Sequence, residues 1–168
     1  MKFSTTKSDL QSSLQKLSKI IPNRTTIPIL GNVLVVSREG SIKMRATDLE
    51  QTMILSIPAT IEKEGRAVIP VDTLLNITNE LPNIRVTINI DDNQNITIIC
   101  DTGIYSIKGM NEKEYPISPE FNDKTSFEME SKQLKKIISL TSFAISKDEL
   151  KPALTGILMQ VKENNLTI

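Results

Sequence analysis

An α+β fold built on an internal duplication is what the sequence predicts. One repeat, with two helices packed on antiparallel sheets, is complete, and a second has begun. Three observations carry this reading. Leu30 opens the run L-G-N-V-L-V-V-S-R-E-G-S-I-K-M to Met44, and Leu154 opens L-T-G-I-L-M-Q-V-K-E-N-N-L-T-I to Ile168, at an offset of 124 residues. The same offset relates Phe3 to Phe127, Leu10 to Leu134 and Leu14 to Ile138. Similar local patterns could supply part of this register, but one offset across a strand, a helix and a hairpin points to duplication. Finally, stretches that alternate apolar and polar residues are interrupted by stripes of helical period, which is the signature of strands and amphipathic helices in one chain.

The elements follow in order. Lys2 to Thr6 is a short β-leaning segment. Thr6 with Asp9 three residues on resembles a capping box, and Leu10, Leu14, Leu17 and Ile21 then recur at helical spacing until Pro22-Asn23. Ile27-Pro28 reads as a strand entry. Val33 to Val36 and Ser41 to Thr47 pair around Arg38-Glu39-Gly40, followed by strands at Met53 to Pro58 and Arg66 to Pro70. Val71 to Leu81 is a second helix, with Leu74, Leu75 and Ile77 on its apolar side, stopped by Pro82. Arg85 to Ile90, Asn95 to Cys100 and Ile104 to Lys108 form a meander through turns at Asp91-Asp92-Asn93 and Asp101-Thr102-Gly103.

Asn111 to Lys124 is charged, carries Pro116 and Pro119, and has no periodicity, so it joins the repeats. The first domain is expected over residues 1–118, the linker proper over 119–124 and the start of the second domain over 125–168. In that second repeat Ser131 is expected to cap a helix bearing Leu134, Ile137, Ile138 and Thr141 inward. Residues 146–152 form the counterpart of the 22–28 loop, and a hairpin begins at Leu154. About a third of the second repeat is present, so the sequence is expected to be the front portion of a longer chain.

The composition restricts the chemistry. Lys plus Arg and Asp plus Glu are both 20, a formal net charge of zero, which argues against holding nucleic acid by bulk electrostatics. Aromatic residues make up 4% and Trp is absent, so Ile, Leu and Val must fill the core. There is no histidine, the commonest general base near neutral pH, and the single cysteine excludes an intrachain disulfide. Cys100 in an apolar run reads as a core thiol. Asp48 reads as a turn cap rather than half of an acid pair with Glu50, and Asp91-Asp92-Asn93 as a solvated turn rather than a calcium loop. No zinc spacing or phosphate loop is present, so neither metal nor cofactor is expected. With no secretory h-region or membrane span, a soluble cytoplasmic protein is expected.

The charge pattern on the helices is more informative. Lys7, Lys16 and Lys19 accompany the first helix against Asp9, and Lys132, Lys135 and Lys136 lie on the Ser131 helix with no acid inside it. Such faces are often merely solvated, but repetition at the same place in two repeats favours a surface that meets phosphate. Asp72 and Glu80 make the Val71 helix acidic instead.

Four segments carry a family resemblance: Met1-Lys2-Phe3, Arg24-x-x-Ile27-Pro28-Ile29-Leu30-Gly31-Asn32, Ala46-Thr47-Asp48-Leu49-Glu50 and Val68-Ile69-Pro70. Together they resemble the bacterial sliding clamps, the beta subunits of DNA polymerase III. The resemblance implies the DNA clamp (processivity) fold, with three similar domains per subunit and two subunits closing head to tail. Helices line the hole of that homodimer ring, which encircles duplex DNA without regard to sequence and tethers the polymerase, catalysing nothing itself. It also implies polymerase and clamp-loader subunits as partners, and a place in the cytoplasm at the nucleoid.

Carried over by position, Arg24 matches a DNA-contacting arginine, while Lys132 and Lys136 would line the hole. Lys147 and Lys151 supply positive charge in a loop where other family contacts are not matched, since Asp148, Pro152 and Ala153 differ. Leu154 matches an apolar residue of the pocket that takes partner peptides, the rest of which lies in sequence absent here. At the subunit interface Ile77 is retained, but Thr73, Thr102 and Ile104 stand where charged residues are usual, so ring closure is not expected to use the same ion pairs. The alternative is a stand-alone module of clamp fold that binds clamp-associated proteins without encircling DNA. A small hydrolase using acidic loops is a third reading, disfavoured by the missing histidine and nucleophile motif.

Overall fold

The computed structural model of the chain describes residues 1–22, 25–117, 127–148, 150–162 and 165–168. The chain divides into two units, Met1–Pro119 and Glu120–Ile168.

In the first unit, β1 (Lys2–Thr6) leads directly into α1 (Lys7–Leu17). The junction shows one half of the expected capping box: Thr6 Oγ1 accepts from the Asp9 amide at 3.1 Å, while the Asp9 carboxylate accepts from the Thr6 hydroxyl at 2.7 Å. The helix ends at Leu17 instead of running to Ile21, because Ser18 turns its hydroxyl back to the Gln15 carbonyl and the next residues form a turn. Pro28–Gly31, expected to enter a strand, is a short 3-10 helix. Asn32 donates its side-chain amide to the Pro28 and Ile29 carbonyls at 3.0 and 3.2 Å and so holds that turn in place.

Strands β2 (Asn32–Arg38), β3 (Ser41–Thr47), β4 (Thr52–Pro58), β5 (Thr60–Lys63) and β6 (Gly65–Pro70) follow. Helix α2 (Val71–Glu80) is next, and β7 (Arg85–Ile90), β8 (Asn95–Cys100) and β9 (Gly103–Lys108) complete the unit's strands. Glu39 and Gly40, with φ of 51° and 74°, make the tight turn between β2 and β3 whose twist matches the strands. The Asp91 carboxylate accepts from the Asn95 amide at 2.8 Å and from its side chain at 2.7 Å. That side-chain bond and the backbone one hold its pKa below the usual value and close the next turn. Strand β5 escaped the sequence reading, since four residues with only Ile61 apolar carry little alternation.

Two antiparallel sheets result, ordered β4-β3-β2-β6 and β5-β1-β7-β8-β9. Between them lies one core containing Leu10, Leu14 and Leu17 of α1, Val33, Val35, Ile42 and Met44 of the first sheet, and Phe3, Ile88, Ile96 and Ile98 of the second. Cys100 is half-buried at the edge of that core, its thiol 3.3 Å from the Thr102 hydroxyl, rather than fully enclosed. The Met1 amino group donates to the Ile90 carbonyl at 2.9 Å, tying the N-terminus to the second sheet.

The chain then crosses from β9 to the outer side of the first sheet. Gly109 passes so close to β6 that a Cβ there would meet the Val68 carbonyl at 2.7 Å. Met110 pairs with Val68, and a 3-10 turn at Glu112–Glu114 brings Tyr115 onto the sheet. Tyr115 is 5% exposed, and its hydroxyl donates to the Arg45 carbonyl at 2.8 Å. The Arg45 guanidinium lies 5.0 Å from the ring centroid and donates to the Pro116 carbonyl. Residues 111–116, expected to belong to a segment joining the repeats, are therefore packed against the first unit. The linker expected over 119–124 lies outside the described residues.

The second unit contains α3 (Ser131–Thr141), 3-10 turns at Ser142–Ala144 and Pro152–Leu154, and a hairpin of β10 (Gln160–Lys162) and β11 (Asn165–Thr167). Ser131 is the first helical residue rather than the cap. Glu130 occupies the cap position and makes no side-chain bond there. No residue of α3 is fully buried. Leu14 is 0% exposed, whereas Ile138, its counterpart at the offset of 124, is 40% exposed. In the first unit the stripe is covered by later elements, including β4 and α2, and the described residues of the second unit contain no counterpart of these.

The two positions should therefore respond differently to truncation. Leu14→Ala is expected to cost about 2–5 kcal/mol in urea unfolding, and Ile138→Ala less than about 1 kcal/mol. Tyr115→Phe should cost about 1–2 kcal/mol, through loss of the hydroxyl's bond to the Arg45 carbonyl. Burial also raises the Tyr115 pKa above its ordinary 10.0, because the neutral phenol is the form the fold retains. Its contribution is thus complete below pH 10.0 and lost as the pH rises through the raised value. Urea midpoints measured from pH 8 upward should fall more steeply in the parent than in Tyr115→Phe.

Candidate nucleic-acid interface

In the first unit α1 and α2 lie side by side, with Gln11 Nε2 donating to Asn79 Oδ1 at 2.7 Å. Both turn their apolar residues inward, Leu10, Leu14 and Leu17 from one helix and Val71 and Leu74 from the other. Lys16 is exposed on α1, and Asp72 and Glu80 are exposed on α2. The positive charge of the first helix is thus offset by its neighbour. Lys19 is exposed beyond the helix end, in the turn that stops α1 early.

The second unit concentrates charge of one sign. Lys132, Lys135 and Lys136 are all exposed, and α3 contains no acidic residue. Spaced three and four residues apart, they occupy one face of the helix, while Leu134, Ile137, Ile138 and Thr141 occupy the other. Three ammonium groups on flexible stems along one helix face attract phosphates but cannot read base edges.

The loop after α3 is closed by local bonds. The Ser146 amide donates to the Leu154 carbonyl at 2.9 Å, and the Ser146 hydroxyl accepts from the Asp148 amide at 3.0 Å. Lys147 and Lys151 are exposed on this loop. Leu154 is exposed at the end of a 3-10 turn and not at the start of a strand; Leu30, its counterpart in the first repeat, also lies in a 3-10 turn but is buried. Arg24 lies outside the described residues. Ile77 is half-buried on α2, and Ile104 is exposed on the edge strand β9, opposite the exposed Ile99 of β8.

The acidic loops have structural occupations. Asp48 Oδ1 accepts from the Glu50 amide at 3.0 Å and the Gln51 amide at 2.6 Å, the turn-capping role expected for it. Among the described residues no group of three or more His, Cys, Asp or Glu is placed to hold a metal ion, and no helix is long and apolar enough to cross a membrane. The sequence reading missed the Arg45–Tyr115 contact. The only available signal was an aromatic residue placed between charged residues and a proline, in a chain with few aromatics.

Comparison with known proteins gives this arrangement a context. A family model for the N-terminal domain of the DNA polymerase III beta subunit matches residues 1–119. The beta sliding clamp of Chlamydia muridarum is 26% identical over 168 residues, covering 100% of this chain and 46% of that protein. That of Bacillus subtilis is 30% identical over 175 residues, covering 99% of this chain and 46% of the relative. The crystal structure of the Bacillus subtilis DNA polymerase sliding clamp superposes with a TM-score of 0.92 at 28% identity, over 99% of this chain and 46% of that one. This chain thus spans less than half the length of these relatives, and it has the sliding-clamp fold, one complete repeat and part of a second. With the family model covering residues 1–119 of 168, the chain belongs to the DNA polymerase III beta subunit family.

Proposed function

We propose that the chain is the front portion of a non-catalytic sliding clamp, with a first domain over 1–118, a linker over 119–124 and the start of a second domain over 125–168. In a ring completed by further sequence and a second subunit, α1 and α3 face duplex DNA. Arg24, Lys132, Lys136, Lys147 and Lys151 meet its phosphates, and Ile77 and Ile104 belong to the subunit interface. Leu154 contributes to a pocket for peptides of the polymerase and clamp loader. The compartment is the bacterial cytoplasm, at the nucleoid. The observation that carries the reading is the all-lysine face of α3, opposite its apolar stripe, on a chain that superposes on a clamp with a TM-score of 0.92.

A formal charge of zero fits this role. Retention by topology needs no tight grip, and a large number of strong phosphate contacts would slow sliding. The lysine faces then supply weak, register-free attraction that centres a duplex without fixing it.

An open fragment has no topological hold, so its affinity should fall in the non-specific range, with Kd on the order of 10⁻⁴ M or weaker at physiological salt. Substituting Arg24, Lys132 and Lys136 together by Ala should weaken low-salt binding equally on unrelated duplexes. The slope of log K against log salt should flatten by roughly 0.9 for each phosphate that no longer meets a cation. Anisotropy titrations of two labelled duplexes at several salt concentrations check this. Preference for one sequence, or an unchanged slope in the triple variant, would remove the phosphate-facing role.

A further inference from the structure

The outer side of the β4-β3-β2-β6 sheet presents a groove that no role proposed above uses. Its floor comes from two adjacent rungs of the sheet, with Leu34, Arg45 and Ile54 side by side on one and Arg66, Val36 and Lys43 on the next. Their neighbours along each strand, such as Val33, Val35, Ile42 and Met44, point the other way into the core. The Tyr115–Ile117 strap forms one wall, and the groove has a volume of about 630 Å³.

We propose that this groove docks an acidic peptide segment carrying one or two large apolar side chains. The rim is cationic: Lys43, Arg66 and Lys113 are exposed, and among the described residues none of the three makes an ion pair. Arg45 is occupied with Tyr115 and Pro116 at the base of the wall. Among the described residues Glu112 is the only acid lining the groove. Between the cations lie apolar seats, with Leu34 and Val36 half-buried, Ile54 58% exposed and Ile117 93% exposed. Carboxylates on the rim and apolar side chains on the floor satisfy both features together.

Two other occupants fit less well. A second copy of this chain would set the same cationic rim against itself, since a two-fold interface brings one patch onto its own image. Single-stranded nucleic acid would match the charge, but base stacking needs an open aromatic face. Tyr115, the one aromatic among the described lining residues, is buried, and Arg45 lies over its ring. The sheet also separates the groove from α1, so a peptide here and a duplex on the helices would not compete for space.

A fluorescein-labelled decapeptide carrying four aspartates around a Leu-Phe pair tests this on the full chain. Controls replace the aspartates by asparagine, replace Leu-Phe by Ser-Ser, or substitute a labelled oligothymidine of ten nucleotides. Titration to about 1 mM, with amide shifts recorded on ¹⁵N-labelled protein, should show saturable binding and shifts at Lys43, Ile54, Arg66 and Ile117. The double variant Lys43→Glu with Arg66→Glu should weaken binding at least about tenfold, and Ile54→Ser several-fold. All three substitutions are at exposed positions, and an unchanged far-UV spectrum checks the fold. Equal binding of the asparagine peptide, tighter binding of oligothymidine or shifts centred elsewhere would overturn the proposal. So would an absence of binding, or shifts at these residues that depend on protein concentration alone.

Discussion

Helix α1 carries the stripe Leu10, Leu14 and Leu17, and all three side chains are removed from water. An eleven-residue helix is marginal by itself, so its stability depends on what covers that stripe. Each fully buried leucine contributes about 1.5–3 kcal/mol, which neither sheet could supply by shielding one side only. The first unit meets the requirement by turning the stripe into the core shared by its two sheets, beside α2, while Ser12, Gln15 and Lys16 stay exposed on the other face. The described residues of the second unit show the same sequence pattern without the covering elements, and its helix buries nothing completely. Burial of this stripe is therefore what joins local helix formation to the architecture of the repeat.

The sheet over that core has two faces with different work. Its inner face is almost wholly aliphatic, as a chain with few aromatics requires. Its outer face would be an ordinary solvated surface if the chain left the unit after β9. Instead the strap from Gly109 to Pro116 returns across it, held by the Met110–Val68 pairing, the Tyr115 hydroxyl and the Arg45 guanidinium. The strap seals Ile29, Val68 and Tyr115 into a second small cluster, and its far side becomes the wall of the cationic groove. A buried phenol donating to a backbone carbonyl gives the strap one position, because an unpaired hydroxyl there would be costly.

Charge is distributed by element. The chain as a whole is neutral, yet α3 carries only lysines, α2 carries only acids, and the outer groove carries a cationic rim. At physiological ionic strength charges separated by more than about 8 Å are largely screened, so each surface acts through its own residues and the net value decides little. A partner meets a face, not a total. This is why zero net charge is compatible with a phosphate-facing helix on a clamp.

Strands β2, β3, β7 and β8 and both longer helices of the first unit were legible in the sequence, because period two and period 3.6 patterns there reflect burial directly. The Asp48 and Asp91 turns were legible for a related reason: an Asp side chain bonds the backbone within its own few residues. The duplication was legible because it is a property of sequence register. What the sequence could not decide depended on contacts between distant positions. Ser131 had the chemistry of a cap, yet α3 begins one residue earlier than that role requires. The 3-10 turn at Pro28 is held by an Asn32 amide that could equally have faced a strand neighbour. Tyr115 is separated from Arg45 by 70 positions, and only the folded sheet brings its hydroxyl to that carbonyl. The helical stripes of the two repeats look alike in sequence, but tertiary structure alone decides which is buried. Periodicity states which face is apolar, and burial depends on whether another part of the chain arrives to cover it.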